Sequence, residues 1–209
     1  HIGDYEYFRL ELNSFSTPFT LLSVLFLLNS FNYFDGIDGT LSCLTISVIA
    51  ILFFLANEDG MRLFLITLSI PIFIFLCFNF SIFGLPKLFL GDSGSLLLGF
   101  VFSFILIYFA NQNMAHPIML AWSVSLFVYE FISINLQRLI NKKNIFRAGQ
   151  DHLHHLLFSK YKSISKINFL MALLNIIFFI TGYITFKFIG PLFSFITYIF
   201  LFIIFYKLR

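Results

Sequence analysis

The chain has 209 residues, of which 59% are hydrophobic, 33 are phenylalanine and only 11% are charged, with a formal charge of +3. A soluble domain carries roughly 25% charged residues, so the composition excludes an ordinary water-soluble fold and points to a membrane protein. So small a net charge also excludes a nucleic-acid binder that works by charge neutralisation.

The first residue is His1, not methionine, and no signal peptide precedes the first apolar run, so the chain reads as a fragment or a processed product. A helix needs roughly 20 apolar residues to cross a bilayer. Seven segments qualify: 17–34, 40–57, 61–80, 95–110, 117–136, 168–187 and 189–206. The expected fold is all-α, a polytopic membrane helix bundle. The runs are too continuous for a β-barrel, whose strands alternate apolar and polar residues. Pro71 is expected to kink the third span, and Phe188-Ile189-Gly190-Pro191 leaves room only for a tight turn. Cys43 and Cys77 lie in apolar runs and read as small core residues. Residues 1–209 form one membrane-embedded domain, with 137–167 as a basic loop.

Lysine and arginine set the expected orientation. Loop 137–167 holds Arg138, Lys142, Lys143, Arg147, Lys160, Lys162 and Lys166 and is placed in the cytoplasm. Alternation then puts 35–39, 81–94 and the end of the chain on the same side, with ten of the thirteen basic residues. The three unusual polar clusters, DGIDG at 35–39, LGDSGS at 90–95 and DHLHH at 151–155, all fall on that side.

Asp35 and Asp38 are three residues apart, a spacing that puts both carboxylates on one face of a helix. Asn29 and Asn32 repeat it one turn earlier. Such oxygen-rich clusters suit magnesium, which takes one or two carboxylates plus substrate phosphates. The plainer reading is a polar helix end with glycine caps. Asp92 lies between Gly91 and Gly94, which allow close approach, while Ser93 and Ser95 are placed to cap a helix that begins there. Its plainer reading is likewise an N-cap. Glu130 lies inside the fifth span, where ionisable residues are functional candidates; structural pairing with Asn135, Gln137 or another helix is the alternative. His152, His154 and His155, beside Arg147, suit a diphosphate better than a zinc ion lacking a fourth ligand. A solvated surface cluster is the competing reading.

Together NSFNYFDGIDG (29–39), KLFLGDSGSLLLGF (87–100) and FRAGQDHLHHLL (146–157) resemble, in order, the polyprenyl-phosphate N-acetylhexosamine-1-phosphate transferases. The likeness covers nearly the whole chain from about residue 17. DHLHHLL looks like the branch that uses UDP-N-acetylglucosamine or a related small UDP-sugar. The resemblance implies that the phosphate of undecaprenyl phosphate attacks the β-phosphate of a UDP-N-acetylhexosamine and UMP leaves, as the first membrane step of a cell-envelope glycan. It implies magnesium, with manganese as a substitute, and Asp92 as the main metal ligand. Asp35 and Asp38 are the companion catalytic carboxylates; Asn29, Asn32, Lys87, Arg147, His152, His154 and His155 are substrate-binding positions. It implies a bacterial inner-membrane enzyme with its site facing the cytoplasm, and admits a homodimer. Complete relatives have about eleven spans and an upstream Asp-Asp pair that is missing here, so the chain reads as the last seven spans and is expected to be inactive alone. Phe131 and Ser133 replace the threonine and arginine that often follow the Glu130 position in relatives. A muramoyl-pentapeptide transferase and a non-catalytic membrane protein or transporter are the competing functions.

Overall fold

The computed structural model describes residues 3–6, 8–144, 149 and 152–209. Inside a bilayer the backbone has no water to bond, and helices satisfy their polar groups turn by turn. Nine α-helices are described: α1 (Ser16–Asn32), α2 (Thr40–Leu55), α3 (Asp59–Asn79), α4 (Gly91–Asn111), α5 (Pro117–Ser123), α6 (Ser125–Ile140), α7 (Leu153–Tyr161), α8 (Ile164–Phe188) and α9 (Pro191–Leu208). Ahead of them β1 (Gly3–Tyr5) and β2 (Phe8–Leu10) pair as an antiparallel hairpin, Asp4 opposite Arg9. The sequence pattern assigns no element there, and this is the only sheet among the described residues. Its Tyr5 is buried against the rings of His116 and Phe195.

Each of the seven expected spans corresponds to helix, but two are unusual. Among the described residues five helices are long and apolar enough to cross a membrane, and α5 with α6, bent by 75° at the break between them, forms a further pair of the kind found in a broken span or a re-entrant loop. Helix α2 has 16 residues, about 24 Å, short of a hydrocarbon layer of about 30 Å. It lies in the interior instead, with ten residues buried and α8 and α3 packed on it. Helix α3 continues through Pro71 as one element. The expected tight turn joins α8 to α9, with Gly190 at φ 127° and Pro191 in the first turn of α9.

The α5–α6 break contains no glycine or proline. Its freed backbone groups are bonded by Asn175 of α8, wholly buried. Asn175 Nδ2 donates to the Ser123 carbonyl at 3.1 Å and to Ser47 Oγ of α2 at 3.1 Å, and its Oδ1 accepts from Leu126 N–H at 3.3 Å. One amide thus replaces the intrahelical bonds that the bend removes.

Helices in lipid associate by close packing, since apolar burial drives nothing there. Gly99 of α4 lies so near the backbone of Leu27 and Leu28 that a Cβ would collide with it. The antiparallel pair α1·α4 therefore meets backbone to backbone, and the end of α1 reaches the start of α4. Gly182 of α8 likewise receives the face of Trp122, whose Nε1 donates to Ser194 Oγ of α9 at 2.9 Å.

Candidate functional site

Helix α1 stops at Asn32, and residues 33–39 form a turn rather than a further helical turn. Asp35 and Asp38 consequently do not share a helix face, as their spacing suggests. Gly39, at φ 73°, supplies the left-handed conformation that ends the turn. Asp35 faces the start of α4, where the Gly91 backbone amide favours its charged form and the charge of Asp92 opposes it. Asp38 turns the other way and pairs with Lys87, Nζ to Oδ2 2.6 Å.

Helix α4 begins at Gly91, four residues before the expected start, so Asp92 sits in its first turn. No side chain caps that end. Ser95 instead donates back to the Asp92 carbonyl at 3.1 Å. Asn32 closes the gap between the helices: Nδ2 donates to Asp92 Oδ1 at 3.0 Å and to Ser95 Oγ at 2.9 Å. Asp92 is exposed and Asp35 half-buried. Burial first, and the neighbouring Asp92 charge second, push the Asp35 carboxyl up to about 6, against the lowering effect of the Gly91 bond.

The third cluster reaches the same turn. A side chain on Gly36 would run into the rings of His154 and His155. His152 meets Tyr33 edge-on at 4.9 Å, and His154 lies 6.1 Å from Phe34, centroid to centroid. Tyr33 and Phe34 thus join the histidines to the acidic pair, a role that the motif reading overlooked. His154 is fully buried, and neither ring nitrogen has a hydrogen-bond partner among the described residues. It is therefore no solvated surface residue. Burial, then His155, His152 and Arg209, hold its pKa down at about 3, so it is neutral at cellular pH.

Two further asparagines were not legible as site residues. Asn168 of α8, 4% exposed, donates to the Asp38 carbonyl at 2.9 Å and accepts from Thr40 Oγ1 at 2.7 Å. It clamps the turn from beneath. Asn79, at the end of α3, donates to the Leu88 carbonyl at 2.8 Å and fixes the segment carrying Lys87. Its Oδ1 is buried without a partner, beside a cavity of about 110 Å³ walled by Asp35–Gly39, Phe89 and Leu90. Asn29 bonds back to the Leu25 carbonyl of its own helix at 2.7 Å and joins none of the three clusters by a hydrogen bond. Arg147 and Asp151 lie outside the described residues. Glu130 is buried and paired with Arg209 at the end of α9, not with Asn135.

The donors near Asp92 fit magnesium. Among the described residues no three Asp, Glu, His or Cys side chains converge to hold a metal by themselves. The charge of Asp92 disfavours that of Asp35, and two such carboxylate donors are the kind of ligand a hard cation takes. The arrangement brings a cation-suited pair, a lysine and a histidine cluster to one end of the bundle.

A family model described as glycosyl transferase family 4 matches residues 3–110, just over half of the chain. Among curated proteins, the undecaprenyl-phosphate alpha-N-acetylglucosaminyl 1-phosphate transferase of Yersinia pestis is 31% identical over 156 residues, 71% of this chain and 42% of that protein. The protein of the same name from Escherichia coli K12 is 29% identical over the same shares. That of Haemophilus influenzae is 32% identical over 124 residues, 57% of this chain and 35% of its own. The chain spans less than half the length of these relatives. No solved structure matches it.

Proposed function

The chain belongs to glycosyl transferase family 4, and we propose that it carries the site that transfers an N-acetylhexosamine 1-phosphate from a UDP-sugar to undecaprenyl phosphate. A phosphate oxygen of the lipid forms a bond to the β-phosphorus of the UDP-sugar. The bond from that phosphorus to the UMP oxygen breaks, and UMP leaves. The observation that carries the reading is the meeting of turn 35–39, the start of α4 and the start of α7. The names of the relatives favour N-acetylglucosamine as the sugar over a muramoyl pentapeptide.

Magnesium, or manganese in its place, supplies a charge that lets two phosphates approach. Asp92 and Asp35 are the residues that would hold it. Asn32 orients Asp92 through one neutral hydrogen bond and leaves its other oxygen open to a ligand. Asp38 keeps the Lys87 ammonium at the mouth of the site, where it meets an incoming phosphate. His152 and His155, with Arg147, hold the nucleotide-sugar, while neutral His154 packs under Gly36 and sets their height. Apolar helices support a multi-pass membrane protein; the distribution of basic residues favours a site on the cytoplasmic side, and the bacterial relatives favour an inner membrane.

The decisive assay supplies magnesium, undecaprenyl phosphate and single UDP-sugars to membranes carrying the full-length protein. The expected product is a lipid-linked sugar diphosphate from UDP-N-acetylglucosamine, with UMP released. Absence of transfer from any UDP-sugar overturns the reading. Single cysteines in 35–39, 90–95 and 151–155 should resist an impermeant thiol reagent in intact cells; labelling of one or two of the three breaks the shared site.

A further inference from the structure

We propose that Glu130 is a positioning residue for the nucleotide-sugar site: with Arg209 it fixes the first turn of α7, and so the places of the flanking histidines. The inference rests on the functional reading above. Glu130 is fully buried on α6, where an ionised carboxylate needs both a counter-charge and hydrogen bonds. Arg209 gives it both. Its Nε donates to Glu130 Oε2 at 2.8 Å and its Nη2 to Oε1 at 3.1 Å. The fork is completed by Nη1, which donates to Gln137 Oε1 at 2.8 Å. Glu130 and Gln137 are two turns apart on one face of α6, so the end of α9 is locked along that face.

The carboxylate has one more described task. Its Oε1 accepts the Leu153 backbone N–H at 2.6 Å. Leu153 is the first residue of α7, and its N–H has no intrahelical acceptor. The helix has no side-chain cap of its own; a carboxylate from another helix does that work, with the favourable sign for a helix N-terminus. Helix α7 has nine residues, too few to be stable by itself. Its place is therefore set by what grips it. The gripped residue sits between His152 and His154. His152 leads to Tyr33, and His154 and His155 lead to Gly36. A shift of Leu153 moves all three rings against the turn that carries the acidic pair. Glu130 thus acts on the substrate through α7.

The test uses the full-length protein with two variants. Replacing both members, Glu130→Leu with Arg209→Leu, removes the acceptor while leaving neither member of the pair charged in the interior. Glu130→Gln keeps an oxygen for Leu153 but removes the charge. Two readouts are taken: amide exchange of residues 153–156, and the KM values for UDP-N-acetylglucosamine and undecaprenyl phosphate. In the folded double variant, exchange should quicken about ten- to a hundredfold, as for loss of a hydrogen bond to a charged group. The KM for the nucleotide-sugar should rise with it while that for the lipid stays put, and Glu130→Gln should fall between. Unchanged exchange, or two KM values that rise together, overturns the proposal. If the double variant does not insert, Glu130→Gln decides by the same two measurements. A wild type that transfers nothing refutes the functional reading alone, and the exchange rates then decide the anchor.

Discussion

Two carboxylate centres lie in the same part of the bundle and are built in opposite ways. Asp92 is exposed and held by one neutral amide; Glu130 is buried and gripped by a bidentate arginine and a backbone N–H. Among the described residues the first pair of acids, Asp35 and Asp92, has no ion pair; the neighbouring Lys87 pairs with Asp38. The second centre has a counter-charge of its own. A carboxylate meant for a cation and a phosphate has to keep its lone pairs available, whereas one that holds helices together uses them. The contrast predicts that substitution at the first centre is felt in turnover and at the second in stability and substrate grip.

The largest expected effect is on turnover. Asp92→Asn should lower transfer by about a thousandfold or more, as loss of several kcal/mol of charge stabilisation requires. Its thermal unfolding in detergent should be near that of the wild type, because the residue is exposed. Near-normal activity at saturating magnesium would reduce Asp92 to a helix-end residue and collapse the contrast.

Glu130→Ala should show the reverse weighting. Breaking one side of a buried pair costs about 3–5 kcal/mol, because Arg209 is left charged in the interior. Unfolding of Glu130→Ala beside Asp92→Ala measures the difference directly. Equal stability losses would mean that the two centres are not distinct.

Acid should separate the regions more gently. His154 has a folded pKa of about 3, below an unfolded value of about 6.5. The unfolded chain therefore binds the extra proton first. The stability that neutral His154 contributes is present above about pH 6.5 and is lost as pH falls toward 3, about 2 kcal/mol of it between pH 7 and 5. Asp35, raised to about 6, acts with the opposite sign between about pH 6 and 4. Melting curves of wild type and His154→Leu without divalent cations isolate the histidine contribution: the variant should lose less stability on acidification. Parallel curves would show that His154 does not titrate on unfolding.

The smallest effect concerns the bend. Asn175→Ala leaves the Ser123 carbonyl and Leu126 N–H without their partner, at about 1–3 kcal/mol for a buried unsatisfied group. Its unfolding should report that loss while KM for both substrates stays unchanged, since Asn175 bonds Ser47, Ser123 and Leu126 and no residue of the three clusters. A raised KM would tie the bend to the site.

Much of this was legible from the chain alone, for reasons that differ by residue. Apolar runs of span length need nothing but themselves to become helices in lipid, so every expected span corresponds to helix. The glycines at 36 and 39 marked a place where the backbone can turn sharply, but that His154 packs against Gly36 is known only from the structure. The spacing of Asp35 and Asp38 misled, since α1 ends at Asn32 and the two carboxylates part. Asn79, Asn168 and Asn175 gave no local signal. Each is an ordinary polar residue in an apolar helix until a backbone group from a distant segment arrives beside it.

Sequence by itself determined the membrane class, the helical elements and the residue types needed for phosphate and cation chemistry, because hydropathy and side-chain chemistry are local properties. Tertiary structure alone decided which carboxylate stays open and which is consumed. That choice depends on Asn32 meeting Asp92 across 60 residues, and on Arg209 meeting Glu130 across 79. Distances of that kind are set by how helices pack, through contacts such as Gly99 on the backbone of α1, and no local pattern encodes them.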